Sequence, residues 1–308
     1  MEKGIVVKTT GSWHYVKSGG ELMQCKLKGN FRIREIKNTN PVAVGDHVNF
    51  EISGNKTGMI TKIHNRKNYI IRKATKLSHE AHILAANVDQ VFLMLTLDFP
   101  ETPLEFVDRF LISCEAYHIK SILLINKIDL YNKEKLQWLE EVKRIYEFAG
   151  YQVIEISVNQ GINTEKLLGL FKDKLSLIAG NSGVGKSSLI NLLCPGLHLK
   201  TNVVSSHHLT GKHTTAYPEM VEVPSGGYII DSPGIRGFGV IDIDKNEIGL
   251  YFNDIFKLSK QCQFYNCTHI HEPNCAVIEA CNKGILHVSR YRSYLKIVTD
   301  NKSKYRII

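Results

Sequence analysis

A glycine-rich run ending in a lysine and a serine is the part of this 308-residue sequence best suited to hold phosphate. The run GNSGVGKS fits the pattern G-x-x-x-x-G-K-[ST] and stands between an apolar strand predicted over 175–179 and a helix predicted over 188–193. Its glycines let backbone N–H groups face the phosphates, its lysine reaches the β and γ oxygens as a catalytic candidate, and its serine hydroxyl can ligate Mg²⁺. The predicted phosphate site comprises Gly180, Asn181, Ser182, Gly183, Val184, Gly185, Lys186 and Ser187.

The tetrapeptide Asn126, Lys127, Ile128, Asp129 indicates which base the site takes. It follows a strand predicted over 122–125 and resembles the N-K-x-D element of GTPases. In that element the aspartate carboxylate accepts from both N1–H and the 2-amino group of guanine, a bidentate pairing that adenine cannot form. We therefore expect Asp129 to recognise guanine, with Asn126 bracing the loop and Lys127 covering the base.

Ser157 ends the next predicted strand, over 153–156, and gives a second match to the base site. GTPases usually place a Ser-Ala pair there, whose backbone N–H contacts the guanine O6. Here a valine stands in place of that alanine. We still expect a backbone N–H of this pair to contact the guanine O6.

Two further segments match the elements that sense the γ-phosphate. Asp231 and Gly234 belong to a D-x-x-G sequence after a strand predicted over 228–230, where the aspartate holds Mg²⁺ through water and the glycine N–H meets the γ-phosphate. Upstream, the sequence GKHTT contains Thr214 and Thr215, either of which can complete the Mg²⁺ shell. Thr215 is the preferred candidate, for catalysis and for magnesium.

The residue that positions the attacking water is less well marked. Ile235 stands where some GTPases carry a water-orienting glutamine, and an aliphatic side chain cannot do this. The sequence therefore predicts slow turnover in isolation. His213, in the same loop as the two threonines, is the candidate for this role, with His207 and His208 as alternatives, and an ordinary loop histidine is the competing interpretation.

Cysteines crowd into a late segment whose spacing is typical of a structural metal site. The pattern C-x4-C-x-H-x5-C places three thiols and an imidazole within 14 residues, the donor set of a closed tetrahedral Zn²⁺ site. Spacing alone leaves His271, Cys281 and His287 as substitutes. The four preferred ligands are Cys262, Cys267, His269 and Cys275.

The elements that must position these residues fall into three parts. Five short alternating runs, over 5–8, 13–17, 22–28, 42–52 and 59–64, predict a small β-barrel of the OB type. Strands and helices then alternate, predicting an α/β domain with a largely parallel sheet, before helical and cysteine-rich segments take over. The expected domains are an OB-fold at 1–72, a GTPase at 73–238 and a zinc-binding helical domain at 239–308.

The order of the nucleotide motifs is permuted. Phosphate loops normally precede the base motifs, whereas here the tetrapeptide and Ser157 come first. Joining the old termini and cutting new ones in a surface loop leaves the arrangement in space unchanged.

Charge is segregated along the chain. Residues 1–73 carry 14 Lys/Arg against 5 Asp/Glu and residues 282–308 carry 7 against 1, whereas the middle carries 18 against 24. Two basic ends around an acidic centre favour a polyanionic partner such as RNA, since Lys and Arg neutralise phosphates. Apolar runs are too short for a secretory signal or a membrane helix, so we expect a cytoplasmic protein.

Together, the barrel, the permuted motifs, the sequences GKHTT and DSPGIRGFG, the cysteine pattern and the tail sequence SRYRSYL closely resemble the RsgA/YjeQ family. The resemblance spans nearly the whole chain. It implies a bacterial GTPase that clamps a late 30S ribosomal precursor through 16S rRNA and leaves upon hydrolysis of GTP to GDP, with Mg²⁺ and one structural Zn²⁺. It also implies that the nucleotide contacts extend to Ser188, and it implies the four preferred zinc ligands rather than His271 or Cys281. A monomer is the simplest state of such a factor.

Three other functions compete with this interpretation. The first is an RNA-binding assembly factor that uses GTP only as a conformational ligand, which Ile235 favours. The second is an ATP-dependent kinase, which Asp129 disfavours because it reads guanine. The third is a permuted GTPase of the large subunit, against which the resemblance argues.

Overall fold

The computed structural model describes residues 1–29, 41–73, 81–197, 199, 218–231 and 243–299. The N-terminal region forms a barrel, and most of its strands alternate buried positions with partly or fully exposed ones. Their order is β1-β2-β3-β5-β4, and β4 pairs back with β1, so the five strands close on themselves and the predicted barrel is confirmed. The strands are β1 (Glu2–Thr10), β2 (Trp13–Ser18), β3 (Glu21–Leu27), β4 (His47–Gly54) and β5 (Thr57–Ile63).

Strand β4 begins five residues later than the apolar pattern indicates. The preceding segment forms a tight turn in which the Gly45 N–H donates to Val6 O at 2.8 Å and the Val6 N–H donates to Asp46 O at 2.9 Å. The Asp46 carboxylate accepts from the Ala43 N–H and from Arg66. These bonds fix the turn against β1, so its apolar residues are buried without being part of a strand.

A β-hairpin that the sequence did not predict joins the barrel to the next domain. It consists of β6 (Tyr69–Lys73) and β7 (Ala81–Ala86), paired antiparallel. An isolated parallel bridge between Val44 and Ala85 links the hairpin to the barrel turn.

In the described part of the second domain, six strands pair in the order β10-β9-β8-β11-β13-β12, and every neighbouring pair but β13–β12 is parallel. This confirms the expected α/β architecture. The strands are β8 (Gln90–Leu95), β9 (Lys120–Ile125), β10 (Gln152–Glu155), β11 (Leu175–Ala179), β12 (Glu219–Glu222) and β13 (Tyr228–Asp231).

Among the described residues, two helices cover each face of this sheet. The first pair packs on the side of Leu93 and Leu123, and the second on the side of Phe92 and Leu124, because alternate residues of a strand face opposite ways. The first pair is α1 (Leu104–Ala116) and α2 (Lys133–Phe148), and the second is α3 (Glu165–Phe171) and α4 (Lys186–Leu193).

The chain winds outward from the centre of the sheet in both directions. Strand β8 leads through α1 to β9 and through α2 to β10, whereas β11, beside β8, leads through α4 towards β12 and β13. The strand order therefore reverses between β8 and β11. Ligands of open α/β sheets bind at the carboxyl ends of strands at such a point.

Helices make up the C-terminal region, as predicted. A 3-10 helix (Lys245–Tyr251) precedes α5 (Asn253–Ser259), α6 (Ala276–Asn282) and α7 (Val288–Thr299), and the cysteine segment lies between α5 and α6. This region packs its own apolar core, to which Ile112 of α1 also belongs. Within the described ranges, no helix has the length and apolarity that crossing a membrane requires.

Candidate nucleotide and metal sites

The phosphate loop lies at the carboxyl end of β11, and its glycines have conformations that other residues rarely adopt. Gly180, Gly183 and Gly185 have φ angles of 142°, 84° and 106°. A Cβ on Gly180 would stand 2.1 Å from Met94 O, and one on Gly185 would stand 2.4 Å from Asn126 Nδ2. Glycine is therefore required both by the turn and by the close approach of β8 and the base motif.

The loop orients its own lysine. Helix α4 begins at Lys186, whose Nζ donates to Gly180 O at 2.8 Å and to Asn181 O at 2.6 Å. Ser187 and Ser188 follow in the first turn of α4, whose N–H groups have no partner inside the helix. An ammonium group and a helix N-terminus thus converge on one concave loop, which suits phosphate.

Asn126 joins the base motif to the phosphate loop. Its side chain is buried, donating from Nδ2 to Val184 O at 2.8 Å and accepting at Oδ1 from the Val158 N–H at 3.1 Å. The motifs lie 58 residues apart in the chain but one hydrogen bond apart in space. The structure therefore assembles the three predicted loops around one side chain.

The rest of the base motif lies on a short 3-10 helix, Ile128–Leu130. Lys127 precedes it in a left-handed conformation, with φ 67°, and its Nζ donates to Phe99 O. Burial lowers the pKa of Lys127, while the neighbouring Asp129 carboxylate partly offsets that effect. Asp129 is exposed, so its carboxylate is open to a ligand.

Ser157 lies behind the base motif and is fully buried. Its backbone pairs with Ile162 in an isolated bridge, and its hydroxyl accepts from the Gln160 N–H at 3.1 Å. Because the Val158 N–H already donates to Asn126, Ser157 orders a tight turn at this edge of the site rather than exposing its side chain.

The γ-phosphate elements are only partly described. The backbone of Asp231 ends β13 and pairs with Ile178 of β11, so it reaches the same edge of the sheet as the phosphate loop. The remaining predicted residues lie outside the described residues. These are His207, His208, His213, Thr214, Thr215, Gly234 and Ile235.

The metal-ligand cluster is compact. The ligand atoms of Cys262, Cys267, His269 and Cys275 all lie within 4.8 Å of one another. His269 Nδ1 is 3.4 Å from Cys275 Sγ and 3.6 Å from Cys262 Sγ, and the two sulfurs are 3.9 Å apart. Sulfur atoms bound at about 2.3 Å around a tetrahedral zinc would be about 3.8 Å apart. The donor set and its spacing therefore fit zinc.

The alternatives to this ligand set lie elsewhere in the described structure. His287 Nε2 is 3.0 Å from Glu141 Oε1 of α2, and its Nδ1 is 2.8 Å from Ser289 Oγ. His271 and Cys281 are also outside the cluster. The geometry thus brings together the four residues that the sequence spacing preferred.

Two tyrosines hold the backbone of the cluster, a feature the sequence did not predict. Tyr291 and Tyr294 of α7 donate their hydroxyl protons to the carbonyls of His269, at 2.8 Å, and Thr268, at 2.7 Å. The Glu272 carboxylate accepts from the amide and the hydroxyl of Thr268. Their place in the tail sequence SRYRSYL is the one signal that marks these tyrosines.

Comparisons with known proteins agree with this arrangement. The family described as RsgA GTPase matches residues 63–241, and the RsgA N-terminal domain matches residues 3–60. The small ribosomal subunit biogenesis GTPase RsgA 2 of Bacteroides thetaiotaomicron is 47% identical over 306 residues, 99% of each chain. The small ribosomal subunit biogenesis GTPase RsgA of Flavobacterium psychrophilum is 48% identical over 98% of this chain and 94% of that one.

Solved structures give the same result. YjeQ from Thermotoga maritima has a TM-score of 0.79 and 34% identity, covering 96% of this chain and 97% of that one. YloQ, described as a circularly permuted GTPase, has a TM-score of 0.76 and 29% identity over 100% and 97%. With its phosphate loop and base motif joined in permuted order, this chain belongs to the RsgA GTPase family and is a GTP hydrolase.

Proposed function

We propose that this chain hydrolyses GTP to GDP and phosphate during maturation of the small ribosomal subunit. The proposed binding of GTP rests on the hydrogen bond from the Asn126 side chain to the phosphate loop. This bond joins a base motif and a phosphate motif in one site. The ribosomal part is supported by the names of relatives that match over nearly their full length. The chain is further proposed to act as a monomer in the cytoplasm.

Nucleotide contacts are assigned on chemical grounds. Asp129 accepts from N1–H and the 2-amino group of guanine, and Lys127 covers the base. Lys186 and the loop amides bind the phosphates, because the ammonium already lies at the mouth of the loop. Ser187, in the first turn of α4, and Thr215 are the proposed Mg²⁺ ligands. Asp231 is proposed to hold Mg²⁺ through water and Gly234 to meet the γ-phosphate.

Water positioning is assigned to the histidine of the switch sequence. Ile235 cannot accept a proton or a hydrogen bond, so turnover of the isolated chain should be slow. We assign His213 to orient the attacking water once rRNA has ordered its loop. A His213→Ala variant that kept full subunit-stimulated turnover would exclude this role.

The partner is proposed to be the 30S subunit or its late precursor, bound through 16S rRNA. On the described barrel, Lys26, Lys28, Lys56 and Lys62 are exposed, and Lys26 Nζ lies 4.4 Å from the centre of the Trp13 ring. Cations combined with an aromatic ring suit a sugar-phosphate backbone and its bases.

The proposed functional units are the barrel at 1–72, the GTPase at 73–238 and the zinc-binding helical region at 239–308.

The cysteine cluster is proposed to hold one structural Zn²⁺. Four protein ligands leave no open coordination position, so the ion would stabilise this small region rather than take part in hydrolysis. Its donor geometry and the two tyrosine bonds to the backbone support this assignment.

Phosphate release from GTP, with ATP as a control, tests the proposal in the absence and presence of purified 30S or 50S subunits. Strong stimulation by 30S alone is the expected result. Tight GTP binding without stimulation by either particle would instead favour the second candidate, an assembly factor that uses GTP only as a conformational ligand. Ile235 is the observation that keeps this candidate open.

A further inference from the structure

Tyr131 is a buried residue just beyond the base motif, and it belongs to none of the nucleotide or metal motifs described above. It follows the 3-10 helix Ile128–Leu130, and its ring packs in the core between the sheet and helices α1 and α2. Only 8% of the residue is exposed. Its hydroxyl group therefore has to find its partners inside the protein.

Both partners of the hydroxyl are backbone groups at the rim of the nucleotide site. It accepts from the Leu97 N–H, just beyond β8, at 2.7 Å and donates to the Asn126 carbonyl at 2.8 Å. Burial raises the pKa of Tyr131 to about 12, so the hydroxyl keeps the proton it donates at physiological pH. One side chain thus connects the end of β8 to the first residue of the base motif.

This bond completes the fixation of Asn126. The Asn126 N–H donates to Leu95 O at 2.9 Å, and its side chain bridges Val184 and Val158. With the Tyr131 bond, all the polar groups of Asn126 are engaged. The peptide that follows leads into Lys127, whose left-handed φ of 67° is unfavourable for a residue with a side chain. A donor fixed on the Asn126 carbonyl holds that peptide plane in the required orientation.

We propose that Tyr131 is a positioning residue of the guanine site, acting through the Asn126–Lys127 peptide rather than by touching the nucleotide. The proposal rests on the proposed function of that site. Its chemical basis is a single hydroxyl group, because a phenyl ring at the same position would fill the same core.

Tyr131→Phe is the direct test, since it keeps the ring and leaves the Leu97 N–H and the Asn126 carbonyl without their partner. GDP affinity should fall about tenfold, because the nucleotide-free loop would relax to satisfy the Leu97 N–H and the Asn126 carbonyl elsewhere, and GDP would have to restore the binding geometry at a cost. The preference for GDP over IDP, which lacks the 2-amino group, should fall as well. Turnover at saturating GTP should change less than about twofold, since the missing bond affects binding rather than the transition state alone.

Tyr151→Phe is a matched control. Tyr151 is also a buried tyrosine of this domain, but it precedes β10 and so lies at the amino ends of the parallel strands, away from the nucleotide site. Its hydroxyl accepts from Asn253 at 3.4 Å. Both variants should lower the melting temperature, and only Tyr131→Phe should weaken GDP binding. Equal GDP affinity and an unchanged GDP/IDP ratio in Tyr131→Phe would overturn the proposal.

Hydrogen exchange on the unsubstituted chain gives a second test that does not depend on a variant folding. The Leu97 amide should exchange slowly and should be protected further by GDP. Exchange at the rate of an unprotected loop amide would overturn the proposal. If the unsubstituted chain bound GDP and ADP equally, the guanine site itself would be refuted together with the role of Tyr131.

Discussion

The GTPase domain holds its two flanking regions by different means. At the barrel, each of these contacts uses at least one backbone group: β1 pairs with β12 at Lys8 and Glu219, the Ala86 N–H donates to Val44 O at 2.8 Å, and the Asn87 side chain donates to Gly45 O at 2.9 Å. The barrel and the GTPase sheet thereby form one continuous 11-stranded sheet.

At the C-terminal region, side chains make the contact, and they include one buried ion network. Arg290 of α7 donates to Asp108 of α1 at 2.6 Å and to both oxygens of Asp254 of α5, at 2.8 and 2.9 Å. Its guanidinium also lies over the rings of Phe252 and Tyr146. All three ionic side chains are almost completely buried.

The two junctions should differ in how well they tolerate substitutions. Backbone pairing resists most substitutions, because side chains can change while the ladder remains. A buried ion network does not, because removing one partner leaves the others charged and without water. The barrel junction should therefore tolerate side-chain changes that the C-terminal junction does not.

Arg290→Met is the largest expected disruption. It removes the cation shared by Asp108 and Asp254 and should destabilise the docked C-terminal region by about 3–5 kcal/mol. Limited proteolysis and urea unfolding measure this loss. Arg292→Met, at an exposed position of the same helix, is the control and should have little effect. Equal stability of the two variants would remove the distinction between the junctions.

Gly45→Ala should disrupt the barrel junction through its backbone. Gly45 has a φ of +91°, and an added Cβ would stand 2.1 Å from Ala86 O. Backbone strain of this kind costs roughly 1–3 kcal/mol, which a shift in the thermal midpoint would report. Gly29→Ala serves as the control, because a Cβ there meets no atom within 4 Å. A neutral Gly45→Ala would show that this junction is looser than its hydrogen bonds suggest.

Lys8→Met should affect the same junction far less. The Lys8–Glu219 ion pair has an N···O distance of 2.9 Å, but both side chains are more than a third exposed. Removing it should cost no more than about 1 kcal/mol, because exposed pairs are screened. The urea midpoint provides the measurement. A loss as large as that of Arg290→Met would mean that charge, not backbone pairing, secures the barrel.

Glu105→Gln should have the smallest effect, and that effect should depend on pH. Burial alone would raise the pKa of Glu105, but Lys296 of α7 and Arg109 outweigh it and lower the pKa below its usual value. A lowered folded-state pKa gives stability that is present above the unfolded pKa and is lost as pH falls through the folded value. The variant should therefore be slightly less stable at pH 7, by a few tenths of a kcal/mol, and should approach the unsubstituted chain near pH 3. A stability difference that grew on acidification would contradict this sign.

Much of the fold was predictable from the sequence. The alternating pattern predicted all five barrel strands, and the apolar run from Leu175 to Ala179 gave the bounds of β11. The apolar repeat in the sequence did not predict elements that are short or incompletely buried. Helix α3 spans seven residues with two buried side chains, and β12 spans four with one, so neither carries a clear apolar repeat.

The candidate sites were predictable as motifs but not as networks. Asn126 and the phosphate loop could be assigned to one nucleotide site from the sequence, because each motif has its own recognisable residues. The hydroxyl of Tyr131 and the three-way contact of Arg290 carry no local pattern, since their partners lie on other elements. The domain boundaries and the roles of Thr215 and His213 stay predictions.

Asp129→Asn, assayed for phosphate release from GTP and XTP with and without 30S subunits, is the decisive experiment on how this site recognises its base. Asparagine can donate to the C2 oxygen of xanthine but loses the second acceptor for guanine, so the base preference should invert. GTP hydrolysis should weaken, and 30S-stimulated XTP hydrolysis should be gained. Retained preference for GTP over XTP would contradict recognition of guanine by Asp129, and with it the site as described.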